Sequence, residues 1–138
     1  GIPVVRDADG MLHGVEAVID KDRASALLAA KLGVDLFAIS TDTDFVYLDY
    51  KKATQRPLTS VTATEIAEHF KNGHFPPGNM GPKVESVLRF LRSGGKRAVI
   101  TSFTHMLEAV AGSAGTHIDA NGIAVDETKH EEQVCPTR

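Results

Sequence analysis

The fold is indicated most clearly by residues 22–40, which read DRASALLAAKLGVDLFAIS. The first part carries apolar residues at helical spacing and ends at Gly33, a residue type that commonly terminates helices. Residues 36–40 follow as a short, mostly apolar strand. Because residues 2–5 also form a predicted strand, the order strand, helix, strand favours a parallel α/β sheet with right-handed crossovers. The apolar residues of the helix are Ala24, Leu27, Leu28 and Leu32.

The elements on either side extend this pattern. Residues 2–5 are predicted to be a buried strand, and the turn Asp9-Gly10 joins them to residues 12–15 as a hairpin. Residues 62–65, Thr-Ala-Thr-Glu, form a capping box that starts a helix running to about Lys71. The other predicted elements are a strand at 45–48, a helix from Pro82 to Gly94-Gly95 with Val84, Val87, Leu88 and Leu91 on one face, a strand at 97–101, a helix at 104–111 and a strand at 116–118.

Composition narrows the class of protein. The chain has 138 residues, of which 42% are hydrophobic and 24% charged, as expected for one globular domain. The net charge of -3, without a basic cluster, argues against a nucleic-acid partner, and the apolar stretches are too short for a membrane span. A single cysteine, Cys135, suits a reducing compartment, so a cytoplasmic location is expected. The start at Gly1 shows no signal peptide and is compatible with an internal fragment.

Three loops could carry chemistry, because each is predicted at the start of a helix or the carboxyl end of a strand, where α/β sheets bind ligands. The first contains Asp20, Lys21 and Asp22. A lysine at a helix N-terminus can present its ammonium to a phosphate, with free backbone N–H groups adding to the attraction. The alternative is a solvated cap, in which an aspartate caps the helix and the lysine lies on the surface.

The second loop, residues 78–83, reads Gly-Asn-Met-Gly-Pro-Lys. Its glycines allow the backbone to approach a ligand, and Lys83 falls in the first turn of a helix, where the macrodipole disfavours a cation. A bound anion would explain this placement. The alternative is that Glu85 neutralises the lysine.

The third loop, residues 41–44, reads Thr-Asp-Thr-Asp, with Tyr47 three residues further on. A calcium loop would need a glycine at its sixth position and a glutamate at its twelfth, where this chain has Tyr47 and Ala53. Two interpretations stay open: recognition of hydroxyl groups and a ribose at the end of a strand, and an acidic turn.

Other site chemistries find little support. The six histidines include no pair at metal-ligand spacing on one helix, which argues against a zinc site. The chain contains no Walker A motif, no glycine fingerprint of a dinucleotide-binding fold and no nucleophile elbow. Hydrolase and dehydrogenase functions are therefore not indicated.

Taken in order, these segments resemble the C-terminal half of the carbamate kinases of the amino acid kinase family. The resemblance runs from residue 1 to about 118, and residues 119–138 form a polar C-terminal extension. Asn79 and Thr43 depart from the family pattern, which has serine and valine there. The matching segments are Gly1-Ile2-Pro3-Val4-Val5, Glu16 to Asp22, Thr41 to Tyr47, Gly78 to Glu85 and Gly115-Thr116-His117-Ile118.

The resemblance implies a three-layer α/β/α sandwich with a mainly parallel sheet, here truncated. It implies reversible phosphoryl transfer from carbamoyl phosphate to ADP, giving ATP and carbamate with Mg²⁺ present, in arginine metabolism and by a homodimer. Lys21 and Lys83 would neutralise the transferring phosphoryl group and the nucleotide phosphates, and Asp20 and Asp22 would orient the two lysines or reach the metal. The adenosine site would be lined or closed by Ser40, Thr41, Asp42, Asp44, Tyr47, Gly78, Met80 and Gly81.

The family's N-terminal half, with its glycine-rich substrate loops, has no counterpart in this sequence. The chain is therefore expected to be a nucleotide-binding portion with little or no activity alone, and with an apolar sheet edge near residues 2–5 that favours self-association. Two alternatives remain open. One is a family member acting on another small carboxylate, and the other is a non-catalytic nucleotide-binding or oligomerisation module.

Overall fold

The computed structural model describes residues 2–125, which form eight strands and four α-helices. No helix within these residues has the length and apolarity needed to cross a membrane. In chain order the elements are β1 (Val4–Arg6), β2 (Leu12–Gly14), α1 (Lys21–Leu32), β3 (Leu36–Thr41), β4 (Val46–Leu48), β5 (Arg56–Leu58), β6 (Ser60–Thr62), α2 (Ala63–Lys71), α3 (Met80–Arg92), β7 (Arg97–Ser102), a 3₁₀ turn (Phe103–His105), α4 (Met106–Ala111) and β8 (Thr116–Asp119).

The central sheet has four strands in the order β3-β7-β8-β6. β3 and β7 are parallel, as are β6 and β8, whereas β7 and β8 run antiparallel. The sheet is therefore mixed and mostly parallel, and the predicted α/β class is confirmed. The two parallel pairings join segments far apart in sequence, as crossover connections require.

Helices cover both faces of the sheet. Successive residues of a strand point to opposite faces, and Ala98, Val99 and Ile100 of β7 are all buried. Ala98 and Ile100 belong to the main core, together with the buried face of α3. Val99 is buried outside that core, as is Ala109 of α4, a helix that packs against β7. This layering agrees with the expected sandwich.

Helix α1 has the expected ends but not the buried face that its leucines suggest. Gly33 ends it in the left-handed conformation, with φ of 63°. The side of α1 that packs on α3 carries Ala26 and Ala29, because small side chains let two helices approach closely. The apolar residues Leu27, Leu28 and Leu32 are instead 56%, 59% and 68% exposed. The apolar stripe therefore predicted the helix correctly, while its leucines face outward.

The N-terminal hairpin is confirmed, but its predicted burial and position are wrong. β1 and β2 pair antiparallel as a separate two-stranded sheet, and the side chains of residues 2–5 are largely exposed. Residues 2–5 are therefore not an edge of the central sheet; β3 and β6 are its edges. Strands β4 and β5 pair antiparallel as a second two-stranded ribbon. The sequence predicts β4 but not β5, because β5 contains Pro57 and lies in a polar stretch.

The later helices follow the sequence closely. The capping box of α2 is present, with Thr62 and Glu65 bonded to each other's backbone. Helix α3 begins at Met80 and not at Pro82, which lies in the first turn, where a missing N–H costs little. The helix expected at 104–111 is divided into a 3₁₀ turn and α4. Residues 126–138 of the polar extension lie outside the described residues.

Candidate functional site

The starts of α1 and α3 meet at the end of the central sheet where β3 and β7 finish. We call this end of the strands the carboxyl edge, and the end where they begin the amino edge. Each helix is joined by a short connection to the parallel strand that follows it, α1 to β3 and α3 to β7, and packs back along the sheet. Each helix start therefore lies beside the end where β3 and β7 finish. This is the edge at which α/β sheets generally bind their ligands.

Lys21, Asp22 and Lys83 form a three-residue cluster at this edge. The Nζ of Lys83 donates to Oδ2 of Asp22 at 3.0 Å, and the Nζ of Lys21 lies 3.4 Å from the same oxygen. The side chains of Asp22 and Lys83 are only 10% and 8% exposed, whereas that of Lys21 is 80% exposed. The structure thus brings the two lysines together through one buried carboxylate.

The electrostatics of this cluster are unusual for two helix starts. The positive end of each helix dipole favours anions, yet each helix carries a lysine in its first turn. Asp22 supplies one negative charge to two ammonium groups, so the cluster keeps a net positive charge. Helix α3 has no acidic residue in its first turn and no side-chain cap from Asn79. The arrangement is suited to a bound anion at the exposed side of the cluster.

Asp20 and Glu85 have partners other than the two lysines. Oδ1 of Asp20 accepts the backbone N–H of Arg23 at 2.8 Å and caps α1, and this bond lowers the pKa of the Asp20 carboxyl. Glu85 accepts from the Arg23 guanidinium at 2.8 Å and lies 3.6 Å from Arg89. The alternative that Glu85 neutralises Lys83 is therefore wrong, since Asp22 is the partner.

A cleft of about 120 Å³ lies between the loop after β3 and the loop before α3. Three of the residues expected around a nucleoside, Asp42, Tyr47 and Met80, line it. Tyr50 and His74 line it as well, although nothing in the sequence analysis singled them out. The remaining lining residues are Thr43, Phe75, Pro76 and Asn79.

Four of the nine residues that line this cleft carry aromatic rings: Tyr47, Tyr50, His74 and Phe75. The rings of Tyr47 and Tyr50 lie 5.9 Å apart at 33°, and Phe45 meets Tyr47 edge to face at 6.3 Å. His74, which also lines the cleft, packs edge to face against His69, whose pKa is lowered mainly by burial. A flat, apolar ligand with a few polar groups fits such walls.

The other predicted site residues lie around the cleft without lining it. Ser40 and Thr41 end β3, and the Thr41 hydroxyl donates to Asp42. Gly78 has a φ of 104°, a conformation that side chains disfavour. Gly81 is buried beneath the preceding loop, where a Cβ would lie 3.0 Å from the Pro76 carbonyl oxygen. Asp44 points away, as its contacts with β7 and the 3₁₀ turn show.

No group of three or more histidine, cysteine, aspartate or glutamate side chains is placed to hold a metal within residues 2–125. Asp22 is contacted by the ammonium groups of two lysines, and one oxygen of Asp20 accepts the hydrogen bond that caps α1. These two carboxylates therefore do not form a ready-made metal-binding site. A magnesium ion that keeps several waters and is held mainly by substrate phosphates is compatible with this donor set.

Comparisons with known proteins show the family to which the chain is similar. The sequence profile of the amino acid kinase family matches residues 1–102. The chain is 45% identical over 118 residues to a carbamate kinase of Thermoplasma acidophilum, and 44% identical over 118 residues to one of Thermococcus kodakarensis. These alignments cover 86% of this chain and 38% and 37% of the two relatives.

Among solved structures, the carbamate kinase from Giardia lamblia bound to AMP-PNP superposes with a TM-score of 0.83 at 41% identity. The match covers 86% of this chain and 41% of that one. The chain thus spans about two fifths of the length of these relatives. The similarity confirms the expected resemblance to carbamate kinases and the amino acid kinase fold.

Proposed function

The chain belongs to the amino acid kinase family, and from that premise we propose that it is the nucleotide-binding portion of a carbamate kinase-like phosphotransferase. In the proposed reaction a terminal phosphate oxygen of ADP attacks the phosphorus of carbamoyl phosphate. The bond from phosphorus to the carbamoyl oxygen breaks, ATP forms and carbamate leaves. We assign this chain to the C-terminal half, which leaves the carbamoyl-binding part of the site to the rest of the enzyme.

The observation that carries the proposal is the sharing of Asp22 by Lys21 and Lys83. Phosphoryl transfer needs positioning and neutralisation of charge more than covalent participation by the protein. In this proposal the exposed Lys21 reaches the transferring phosphoryl group, and Lys83 neutralises the nucleotide phosphates from the start of α3. Asp22 orients both ammonium groups, and Asp20 acts indirectly by capping α1.

The aromatic cleft is the proposed adenosine site. Tyr47, Tyr50 and Met80 offer surfaces on which a purine ring can pack, and Asp42 offers a carboxylate to the ribose hydroxyls. The AMP-PNP bound to the Giardia relative supports a nucleotide in this fold. Mg²⁺ would supply charge neutralisation on the phosphates.

The activity, the acceptor substrate and the oligomeric state are proposed for the whole enzyme and not for this chain alone. The chain spans about two fifths of the length of its relatives, and we propose that the carbamoyl-binding part of the cleft lies outside it. Donor and acceptor would then not be held in line by this chain alone, and positioning of this kind contributes roughly 7 to 11 kcal/mol to catalysis. We therefore propose that the isolated chain has no more than trace activity. Carbamate as the acceptor, a role in arginine metabolism, a cytoplasmic location and a homodimer are proposed for the parent protein on the strength of its relatives.

Titration calorimetry with ADP and Mg²⁺ tests the nucleotide site. Lys21→Ala is expected to weaken binding about tenfold or more, since a charge-assisted bond to phosphate is lost. Lys31→Ala is a matched control, because Lys31 is an exposed lysine in the last turn of the same helix. Equal effects of the two substitutions would contradict the assignment of Lys21 to the phosphates.

A second assay measures ATP formed from ADP and carbamoyl phosphate at several concentrations of the chain. Only trace ATP is expected from the isolated chain, whereas a longer parent containing it is expected to turn over. Robust turnover by the short chain, lost in Lys21→Ala, would show that a complete site forms without the rest of the enzyme. A parent that binds ADP but shows no turnover would favour the non-catalytic module.

A further inference from the structure

A hydrogen-bonded cluster lies at the carboxyl ends of β3 and β7, beside the nucleotide cleft but outside its lining. Nδ1 of His105 lies 3.0 Å from Oδ1 of Asp44 and 3.0 Å from the hydroxyl of Ser102. The Ser102 hydroxyl in turn lies 2.9 Å from that of Thr104. Ser102 is buried, whereas His105 and Asp44 are each about half exposed.

The donors in this cluster converge on Asp44. Hydrogen bonds from Ser102 and then His105 lower the pKa of the Asp44 carboxyl, so it is an anion that accepts from both. A proton on Nδ1 of His105 satisfies this geometry whether the ring is neutral or charged, and it leaves Nε2 facing away from Asp44. Asp44 therefore joins the loop after β3 to the turn after β7.

The loop at residues 41–45 depends on this connection. Within it, Thr41 donates to Asp42 and Thr43 donates to the Phe45 carbonyl, so these two bonds are internal to the loop. The chain becomes anchored again at Val46, whose N–H donates to the buried hydroxyl of Thr116. Of the side-chain hydrogen bonds found for residues 41–45 in the described structure, those of Asp44 are the ones that leave the loop.

The same loop also shapes the cleft. Asp42 and Thr43 line it directly, and Tyr47 follows one residue after the anchored Val46. Asp44, between them, points to the opposite side. The hydrogen bond between His105 and Asp44 therefore holds the backbone segment that places Asp42 at the cleft.

We propose that His105 is a positioning residue that latches the 41–45 loop through Asp44 and thereby sets the affinity of the cleft for a nucleotide. This inference rests on the proposed nucleotide-binding function for its effect on affinity. The latch itself is a property of the fold and has its own readout.

The affinity test compares three variants by calorimetry with ADP. His105→Ala removes the donor and is expected to weaken binding about fivefold, the upper range for an exposed pair of this kind. His105→Asn places an amide donor near the position of Nδ1 and is expected to restore most of the affinity. His13→Ala is the control, because His13 pairs with Asp7 in the separate hairpin and is similarly exposed.

Hydrogen exchange of the amides of residues 42–45 provides the second readout, without nucleotide. Faster exchange is expected in His105→Ala, near-normal exchange in His105→Asn, and no change there in His13→Ala. Unchanged exchange in His105→Ala would overturn the latch, and unchanged ADP affinity despite faster exchange would overturn its role in binding. If the wild-type chain bound no ADP, the proposed function and the affinity role would both fail, while the exchange data would still decide the latch.

Discussion

Two lysine–aspartate pairs at opposite edges of the sheet differ in almost nothing except their surroundings. Lys83 binds Asp22 at 3.0 Å, and Lys96 binds Asp35 at 2.7 Å, and the partners are 61 positions apart in sequence in each case. Asp35 and Lys96 precede β3 and β7, at the amino edge, and their side chains are each 77% exposed. The Asp22–Lys83 pair lies at the carboxyl edge with about a tenth of each side chain exposed.

The difference shows that a short distance does not measure the importance of an ion pair. At the amino edge, water replaces either partner when the other is removed, and the pair contributes little. At the carboxyl edge, the loss of Lys83 leaves a buried carboxylate with only the more distant Lys21. Burial therefore makes the carboxyl edge sensitive to substitution, and the same edge holds the proposed phosphate site.

The largest expected effect concerns folding. Lys83→Ala is expected to lower the free energy of unfolding by about 3 kcal/mol or more, as the loss of one partner of a buried pair generally does. Lys96→Ala is expected to leave it unchanged within the error of the measurement. Urea denaturation followed by circular dichroism gives both values. An equal loss of unfolding free energy in the two variants would show that burial does not make the Asp22–Lys83 pair more important than the Asp35–Lys96 pair.

A second comparison concerns the nucleotide. Lys83→Ala is expected to weaken ADP binding about tenfold or more, because a charge-assisted bond to phosphate is lost, whereas Lys96→Ala is expected to change it less than twofold. Titration calorimetry is performed at a temperature where circular dichroism shows both variants folded. A similar loss in both variants would contradict the assignment of Lys83 to the nucleotide phosphates.

The smallest effect concerns the pH dependence at the amino edge. The hydrogen bond from Lys96 lowers the pKa of the Asp35 carboxyl. Because this pKa lies below its unfolded value, the pair stabilises the fold at neutral pH, and that contribution is lost as the pH falls through the folded pKa. Lys96→Ala is expected to raise the Asp35 pKa towards its ordinary value, as measured by NMR titration of the carboxyl carbon. An unchanged pKa would show that the pair does not form in solution.

Much of the secondary structure could be predicted because its signals are local. The capping box at Thr62 and Glu65, the glycine end of α1 and the Asp9-Gly10 turn each act over a few residues. Strands β5 and β6 were missed because each is three residues long and buries a single apolar side chain, Leu58 or Val61, so pairing partners rather than their own composition stabilise them.

The candidate site was predictable in part. The lysines at two helix starts were visible in the sequence: Lys21 lies between two aspartates, and the placement of Lys83 conflicts with the helix dipole. Tyr50 and His74 gave no such signal, since an aromatic residue in a loop has no pattern that marks it as part of a cleft. His105 was also missed, because its contact with Asp44 joins residues 61 positions apart.

The sequence by itself determined the α/β class, the ends of α1 and α2, and the resemblance of residues 1–118 to carbamate kinases. Only the tertiary structure decided that Asp22, and not Glu85, is the partner of Lys83, and that the leucines of α1 face outward. Local propensities and motifs depend on neighbours within a turn of helix or a hairpin. The choice of partner and of buried face depends on which helices and strands pack together, and this requires contacts between residues that are distant in the chain.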